Sequence, residues 1–333
     1  MSRILLSVPL VLATATAPSA EIPRVAVDIA PVHSLVARVM QGVGEPDLII
    51  PPGASPHEYQ LRPSEAAALQ EAEVVVWIGE DLTPWLEDPL ESLAGDAAHV
   101  SLLDADGVTL LDFRENALFE AHSHGDDDHG SEDHDHDHAE AHDHDDHDHA
   151  EHAHDDHDHD HGHGAHDPHA WLSPDNAATW LNVIAGRLSV ADPANAGAYF
   201  ANAEAGRAEI ETLKTEIAAI LEPVREGRFI AFHDAYQYFE TAFDIPAAGA
   251  ISISDASDPS PARIAEIQTR IRDEGIDCVL AEPQFNAQMV ATVMVGTDAS
   301  TGVLDPLGSD LEPGPALYPQ LMRNLAETLA GCL

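Results

Sequence analysis

Short apolar runs alternate with helical patterns along most of this chain. The runs are RVAVDI (24–29), DLII (47–50), VVVWI (74–78) and HVSL (99–102) in the first half, and FIAF (229–232), CVLA (278–281) and GVL (302–304) in the second. Helical patterns lie between them, for example at 32–40, 63–71, 261–274 and 316–331. Short apolar strands separated by helices are typical of parallel sheets covered by helices. We therefore predict an α/β protein whose parallel sheets are flanked by helices.

The longest helical pattern lies between the two halves. Asp192 is its predicted N-cap, Pro193 occupies the first helical position, and Pro223 makes Glu222 the expected end. Apolar residues recur at helical spacing at Ile210, Leu213, Ile217 and Ile220. A helix of about 28 residues would be about 40 Å long, which is enough to act as a stiff spine between two lobes that move little. The predicted division is a first lobe at 21–190, a linker helix at 191–222 and a second lobe at 223–333.

The first twenty residues have the pattern of a secretory signal peptide. Arg3 gives a positive start, residues 4–12 are apolar, and residues 13–20 are mostly small. No later segment contains eighteen continuous apolar residues, and no cysteine follows the signal that could be lipidated. We expect cleavage after Ala20 and export to a bacterial periplasm as a soluble protein.

Residues 121–166 form an insert of unusual composition. They contain 17 of the 22 histidines and 17 Asp or Glu residues, with no Lys or Arg, in runs such as EDHDHDHAEAHDHDDHDHAEH. Imidazole binds borderline transition metals such as Zn²⁺, and carboxylates add oxygen ligands. A segment with so few large apolar residues is predicted to be disordered. A polar linker is the alternative, but it would not explain a histidine at nearly every second position.

The net charge of the chain is −46, of which −17 comes from the insert. Such a protein repels nucleic acid and anionic membrane surfaces and attracts cations. We expect neither nucleic acid nor lipid to be a partner.

Cys278 and Cys332 are the only cysteines. An even number of cysteines in an exported protein favours a disulfide. The alternative is a role as metal ligands, which the position of Cys332 next to the end of the chain disfavours.

Three of the five histidines outside the insert lie in segments that resemble loops near strand or helix ends. His57 follows the DLII strand in PPGASPHEY, His169 lies in DPHAWLSP before a helix capped by Ser173, and His233 follows the FIAF strand. Ligands of open α/β sheets bind beyond the carboxyl ends of the strands. His33, at the start of a helix, and His99, at the start of a strand, are interpreted as ordinary structural residues.

Asp305 follows the GVL strand in TGVLDPLG and has a similar position to His57 and His233. Three histidines and one carboxylate are a sufficient tetrahedral set for Zn²⁺. The sequence around each candidate decides between this interpretation and ordinary hydrogen-bonded side chains.

The segments GASPHEYQLRPSE, DPHAWLSPDN, IAFHDAYQYF, AEPQF and LDPLG occur in that order, with the acidic histidine-rich insert before the second. Together they resemble the zinc-specific periplasmic solute-binding proteins of ABC importers, the ZnuA type of cluster A-I (cluster 9). The resemblance covers nearly all of the chain after residue 20. It implies two α/β lobes joined by a long backbone helix, with the metal in the cleft between them.

The resemblance also implies roles for individual residues. His57 and His169 would supply ligands from the first lobe and His233 from the second. A histidine at 233 is similar to zinc members, whereas manganese members have a carboxylate there. The fourth ligand would be Asp305 or a water bound to it, because Pro56 stands where some zinc members place a carboxylate. Glu282 is the reserve candidate, or a group that orients a ligand. Cys278 and Cys332 match members with a disulfide at this place.

The leading hypothesis is a monomeric zinc-binding protein, not an enzyme, that captures Zn²⁺ and delivers it to an inner-membrane ABC permease. The insert would gather zinc near the cleft, in the manner of a metallochaperone. The alternatives are a binding protein for Mn²⁺ or another divalent metal, a metal buffer in which the insert is the main site, and a zinc-dependent hydrolase. The last is disfavoured because the chain has no HExxH motif.

Overall fold

The computed structural model describes residues 22–114, 166–252 and 259–333. The predicted signal peptide, residues 1–20, and nearly all of the histidine-rich insert lie outside the described residues.

The first four apolar runs form one parallel sheet in the order β2-β1-β3-β4. Its strands are β1 (Val25–Val27), β2 (Asp47–Leu48), β3 (Val74–Trp77) and β4 (Ala98–Ser101). The helices of this part are α1 (Ala30–Val39), α2 (Pro63–Glu71), α3 (Glu87–Leu93) and α4 (Pro174–Ala191). Every residue of β1 and β3 is buried, as expected for inner strands of a covered parallel sheet.

A second parallel sheet follows in the order β6-β5-β7-β8. Its strands are β5 (Phe229–His233), β6 (Gly249–Ser252), β7 (Cys278–Ala281) and β8 (Ser300–Val303), and its helices are α6 (Gln237–Phe243), α7 (Pro261–Glu274), α8 (Ala287–Val293) and α9 (Leu317–Cys332). The two sheets with their helices form two lobes, which confirms the predicted fold class. The exact boundaries of the lobes stay a prediction.

The predicted spine is a single helix, α5 (Ala196–Leu221), with 26 residues and a length of about 39 Å. Asp192 caps the short 3₁₀ turn before it, since its carboxylate accepts the Asn195 amide at 3.3 Å and the Tyr199 hydroxyl at 2.9 Å. The helix packs against α4 and α1 on one side and against α9 on the other. None of the helices that the structure describes has the length and apolar character needed to cross a membrane.

The C-terminal helix α9 is a second connection between the lobes. The Tyr318 amide donates to the Ser34 hydroxyl at 2.9 Å, and the Tyr318 hydroxyl donates to the Trp171 carbonyl at 3.0 Å. At its other end, Cys332 forms a disulfide with Cys278 of β7, as predicted from the sequence. The helix is therefore tied to the second sheet covalently and to the first lobe by buried hydrogen bonds.

Two strands of the second sheet differ from the sequence prediction. The strand β6 was not predicted, because GAIS combines a glycine, an alanine and a serine with one large apolar residue. The strand β8 begins at Ser300 rather than Gly302, and its residues are largely exposed because it is an edge strand. Hydrophobic pattern is a weak signal for both kinds of strand.

The close contact between α5 and α4 depends on Gly206. A Cβ atom at this position would lie 2.9 Å from Leu181 Cδ1 and 3.3 Å from Arg38 Cγ. We expect Gly206→Ala to lower the free energy of unfolding, because overpacking costs roughly 1–3 kcal/mol and the gain in helix propensity is about 1 kcal/mol. The matched control is Gly186→Ala in α4, where nothing lies within 4 Å. Urea unfolding should show Gly206→Ala less stable and Gly186→Ala at least as stable as the wild type. An equal increase in the free energy of unfolding for both variants would contradict the close packing of the spine.

Candidate metal centre

His57 lies in the loop that follows β2, and neighbouring residues fix this loop. The Trp85 indole N–H donates to the Pro56 carbonyl at 2.7 Å, and the His57 amide donates to the Ser55 hydroxyl at 3.3 Å. The proline-rich sequence of this loop limits its backbone conformations. The imidazole of His57 is therefore held at the carboxyl side of the first sheet.

His169 lies just before α4, and Asp167 fixes both its backbone and its ring. One oxygen of Asp167, Oδ1, accepts the His169 amide at 3.0 Å and the ring Nδ1–H at 2.7 Å. The His169 ring packs against Trp171, with their centroids 5.3 Å apart. Because Nδ1 carries the proton in this arrangement, Nε2 offers its lone pair on the other side of the ring.

His233 is the last residue of β5 and is held by Glu282, which follows β7. Glu282 Oε1 accepts the His233 amide at 3.2 Å and the ring Nδ1–H at 2.8 Å. Phe285 contacts the ring edge to face, with centroids 5.4 Å apart. The second lobe thus orients its histidine in the same way as the first lobe orients His169.

The three imidazoles converge between the lobes. His57 Nε2 and His233 Nε2 each lie 3.3 Å from His169 Nε2. One ligand atom from each ring lies within 4.8 Å of the other two. A tetrahedral zinc ion with Zn–N distances of about 2.0–2.1 Å would separate its nitrogen ligands by about 3.3–3.4 Å. The spacing of these nitrogens therefore suits one zinc ion.

The cavity beside the three rings has a volume of about 10 Å³, enough for one water-sized group. Apolar side chains form much of its wall. They include Pro56, Trp171, Phe285 and Leu307. The enclosed part of a site of this size accepts a metal ion and one small additional ligand.

Burial determines the protonation of this site. It holds the pKa of His169 well below its ordinary value, and the neighbouring His233 lowers it further. Burial also raises the pKa of Asp167 to about 7, which the amide of His169 and the charge of Arg114 oppose. A cation bound to His169 would favour the ionised form of Asp167. The neutral imidazole is the form that binds metals, so the site is prepared for a cation.

Asp305 does not join the three histidines in the structure. Its Oδ1 accepts the Leu307 amide at 3.0 Å and the Gln284 side-chain amide at 3.2 Å, and its Oδ2 accepts the Ser309 amide at 2.5 Å. In this arrangement the carboxylate organises the 305–309 turn, and its role as a fourth metal ligand stays a prediction. Glu282 also lies outside the group of ligand atoms and takes the orienting role that the sequence allowed for it.

Of the three other histidines that the structure describes, His166 lies 3.1 Å from an oxygen of Asp112, and His33 and His99 contact backbone carbonyls. The His33 Nε2–H donates to the Pro46 carbonyl at 3.0 Å, and the His99 Nε2–H donates to the Ala94 carbonyl at 2.8 Å. Their interpretation as structural residues agrees with these contacts. Sequence reasoning missed Asp167, although its position two residues before His169 in DPH was a usable signal.

Two parallel α/β lobes, a long connecting helix and three inward-pointing imidazoles define a two-lobed metal-binding protein of the solute-binding class. A model of the family described as zinc-uptake complex component A, periplasmic, matches residues 25–332. The chain belongs to this family, which confirms the resemblance seen in the sequence.

Individual relatives agree with this assignment. The high-affinity zinc uptake system protein ZnuA of Brucella abortus (strain 2308) is 50% identical over 309 residues, which are 93% of this chain and 91% of that protein. A crystal structure of ZnuA aligns with a TM-score of 0.71 at 22% identity, covering 94% of this chain and 99% of the other. A zinc-bound ZnuA deletion mutant aligns with a TM-score of 0.70 at 22% identity, covering 94% and 98%. The two structures support the fold.

The orienting role of Glu282 can be tested by Glu282→Gln, which keeps the size of the side chain and removes its charge. We expect zinc affinity to fall roughly 10–100-fold, because the hydrogen bond to Nδ1–H both aims the His233 ring and raises its basicity. Competition titration with a zinc chelator measures the change. Asp310→Asn is the control, since it removes one exposed charge from the same lobe. Equal losses in both variants would show that general charge, not ring orientation, sets the affinity.

Proposed function

We propose that this protein captures Zn²⁺ with His57, His169 and His233 and delivers it to an ABC permease of the inner membrane. The observation that carries the proposal is the 3.3 Å spacing of the Nε2 atoms, together with imidazole rings aimed by Asp167 and Glu282. The fourth position would be taken by water, for which the cavity has room. Direct ligation by Asp305 would require this residue to leave its amide partners.

Donor chemistry favours zinc over manganese. Imidazole nitrogens suit Zn²⁺, whereas manganese is better served by carboxylate, carbonyl and water oxygens. The named zinc uptake relatives support the same choice. Copper and nickel also bind imidazole.

The setting of this function follows from the family. We propose that residues 1–20 direct the chain to the periplasm, that it acts there as a monomer without breaking bonds in its ligand, and that its partner is a membrane permease. The small and largely apolar cavity supports a binding role over that of a hydrolase, because its enclosed part has space for one water-sized group beside the metal. The insert at 121–166 would hold additional zinc at lower affinity and raise its concentration near the cleft.

Zinc titration of the wild type and of three single variants tests the proposal. We expect His57→Ala, His169→Ala and His233→Ala each to lower the affinity of the tight site at least 100-fold, because each removes one of three protein ligands. His99→Ala is the matched control. It should leave the affinity of the tight site unchanged, because the His99 ring forms a hydrogen bond with a backbone carbonyl. Deletion of residues 121–165 should leave one tight zinc ion per chain. If the tight site disappears with the insert, the protein is a buffer and the cleft is not its functional site.

The cleft and the insert should respond differently to pH. Burial lowers the pKa of His169, so protons compete with zinc there only at a lower pH than for a free imidazole with a pKa of about 6.5. The insert histidines stand among acidic residues in the sequence, and acidic neighbours favour the protonated form of an imidazole, which competes with metal binding. Between pH 7.5 and pH 5.5, equilibrium dialysis should show that the full chain loses its additional zinc while one ion per chain remains. If the full chain and the variant without the insert lose zinc over the same pH range, the expected order of release, insert before cleft, is contradicted.

A further inference from the structure

The segment 109–114 crosses from the first lobe to the second, shortly before the insert. At its start, the Thr109 amide donates to the Asn176 side-chain oxygen at 2.9 Å, and the Asn176 amide group donates back to the Thr109 carbonyl at 3.0 Å. Asn176 belongs to α4. This end of the segment, named the strap here, is therefore fixed to the first lobe.

The middle of the strap contacts both lobes. The Leu111 carbonyl accepts the Asp167 amide at 2.8 Å. The Leu111 amide donates to the Tyr238 hydroxyl at 2.9 Å, and this hydroxyl donates to the Asp167 carbonyl at 2.8 Å. Tyr238 belongs to α6 of the second lobe and is buried. One phenol thus joins the strap, the residue that orients His169, and the second lobe.

The end of the strap carries the strongest contact. Arg114 donates to Glu240 of α6 through two nitrogens, at 2.7 and 3.3 Å, and to Asp234 at 3.1 Å. The Glu240 and Asp234 side chains are only 5% and 8% exposed, and that of Arg114 is 18% exposed. Glu240 is fixed from the other side, since its Oε2 accepts the Ala247 amide at 3.0 Å. Bidentate pairs of this kind are strong and geometrically specific.

We propose that Arg114 is an inter-lobe latch that keeps the cleft closed around its bound metal and sets the rate of metal release. Asp234 directly follows the ligand His233, and Asp167 precedes the ligand His169 by two residues. The strap therefore holds together the two segments that carry ligands from opposite lobes. Separation of the lobes at this edge requires the Arg114 contacts to break, which exposes two carboxylates that are buried in the closed form.

The latch is expected to act on dissociation more than on capture. Removing one partner of a buried, hydrogen-bonded charge pair changes chiefly the rate at which a closed state is lost. The α5 spine and the disulfide remain in place when the latch contact is removed, so the fold can persist while the edge of the cleft opens more often. Arg114 is a positioning residue in this account, since it does not contact the metal.

The test is the zinc dissociation rate of the full chain, loaded with one zinc equivalent and mixed with a large excess of a fluorescent zinc chelator. We expect Arg114→Gln and Glu240→Gln each to raise the rate about tenfold or more, with association changed less than threefold. The double variant should resemble the single ones, because both act on one contact. Arg114→Lys should restore the rate only in part, since an ammonium group cannot reproduce the bidentate geometry.

Arg38→Gln provides the control. Arg38 forms a bidentate pair with Glu209 of α5, at 2.9 and 3.0 Å, and its side chain is 13% exposed. The Arg38→Gln variant should leave the zinc dissociation rate unchanged. Lower stability alone would reduce the fraction of protein that binds zinc, which appears as a smaller amplitude and not as a faster rate.

The latch rests on the proposed zinc function, and the two can fail separately. A dissociation rate within twofold of the wild type in Arg114→Gln, or an equal increase in Arg38→Gln, would overturn the latch while leaving zinc binding intact. A tight site that survives His57→Ala, His169→Ala and His233→Ala would overturn the proposed function itself.

Discussion

Two carboxylate–imidazole hydrogen bonds determine what this protein can bind. Asp167 holds the Nδ1–H of His169, and Glu282 holds that of His233. In both cases the same carboxylate oxygen also accepts the backbone amide of the histidine, so ring and backbone are fixed together. Both Nε2 atoms are then directed toward His57. Burial favours the neutral form of His169, so the lone pair of its Nε2 is available to bind a cation. Without these two carboxylates, three nearby histidines would be a flexible cluster and not a preformed site.

The rest of the fold keeps this arrangement rigid. The three histidines are far apart in the sequence, with separations of 112 and 64 residues between the paired residues, so their convergence depends on how the lobes are placed. The spine α5 and the C-terminal helix α9 both contact the two lobes, and the disulfide fixes the end of α9 to the second sheet. Two such connections restrict wide domain closure. The proposed metal exchange would then use small movements near the cleft, where the strap and Arg114 lie.

Much of this structure could be predicted from the sequence. Continuous apolar runs located six of the strands closely, and Asp192, Pro193 and Pro223 located the ends of the spine to within the 3₁₀ turn that flanks the helix on each side. The strand β6 escaped because short runs of small residues carry little hydrophobic signal. The strand-end position of Asp305 is a weaker signal, since a carboxylate there can serve a turn as well as a metal, and its metal role stays a prediction. The contacts of the strap could not be predicted, because they involve residues more than 120 positions away in the sequence, such as Tyr238 and Glu240.

X-ray absorption at the zinc edge, on the full chain loaded with one zinc equivalent, tests the central claim most directly. Three imidazole nitrogens bound to one ion should give the multiple-scattering signature of three rings, at about 2.0–2.1 Å, with one further light ligand. Loss of one imidazole in each of the three histidine variants would complete that result. A first equivalent bound mainly by carboxylate oxygens, or by histidines that persist when all three cleft histidines are replaced, would contradict the account.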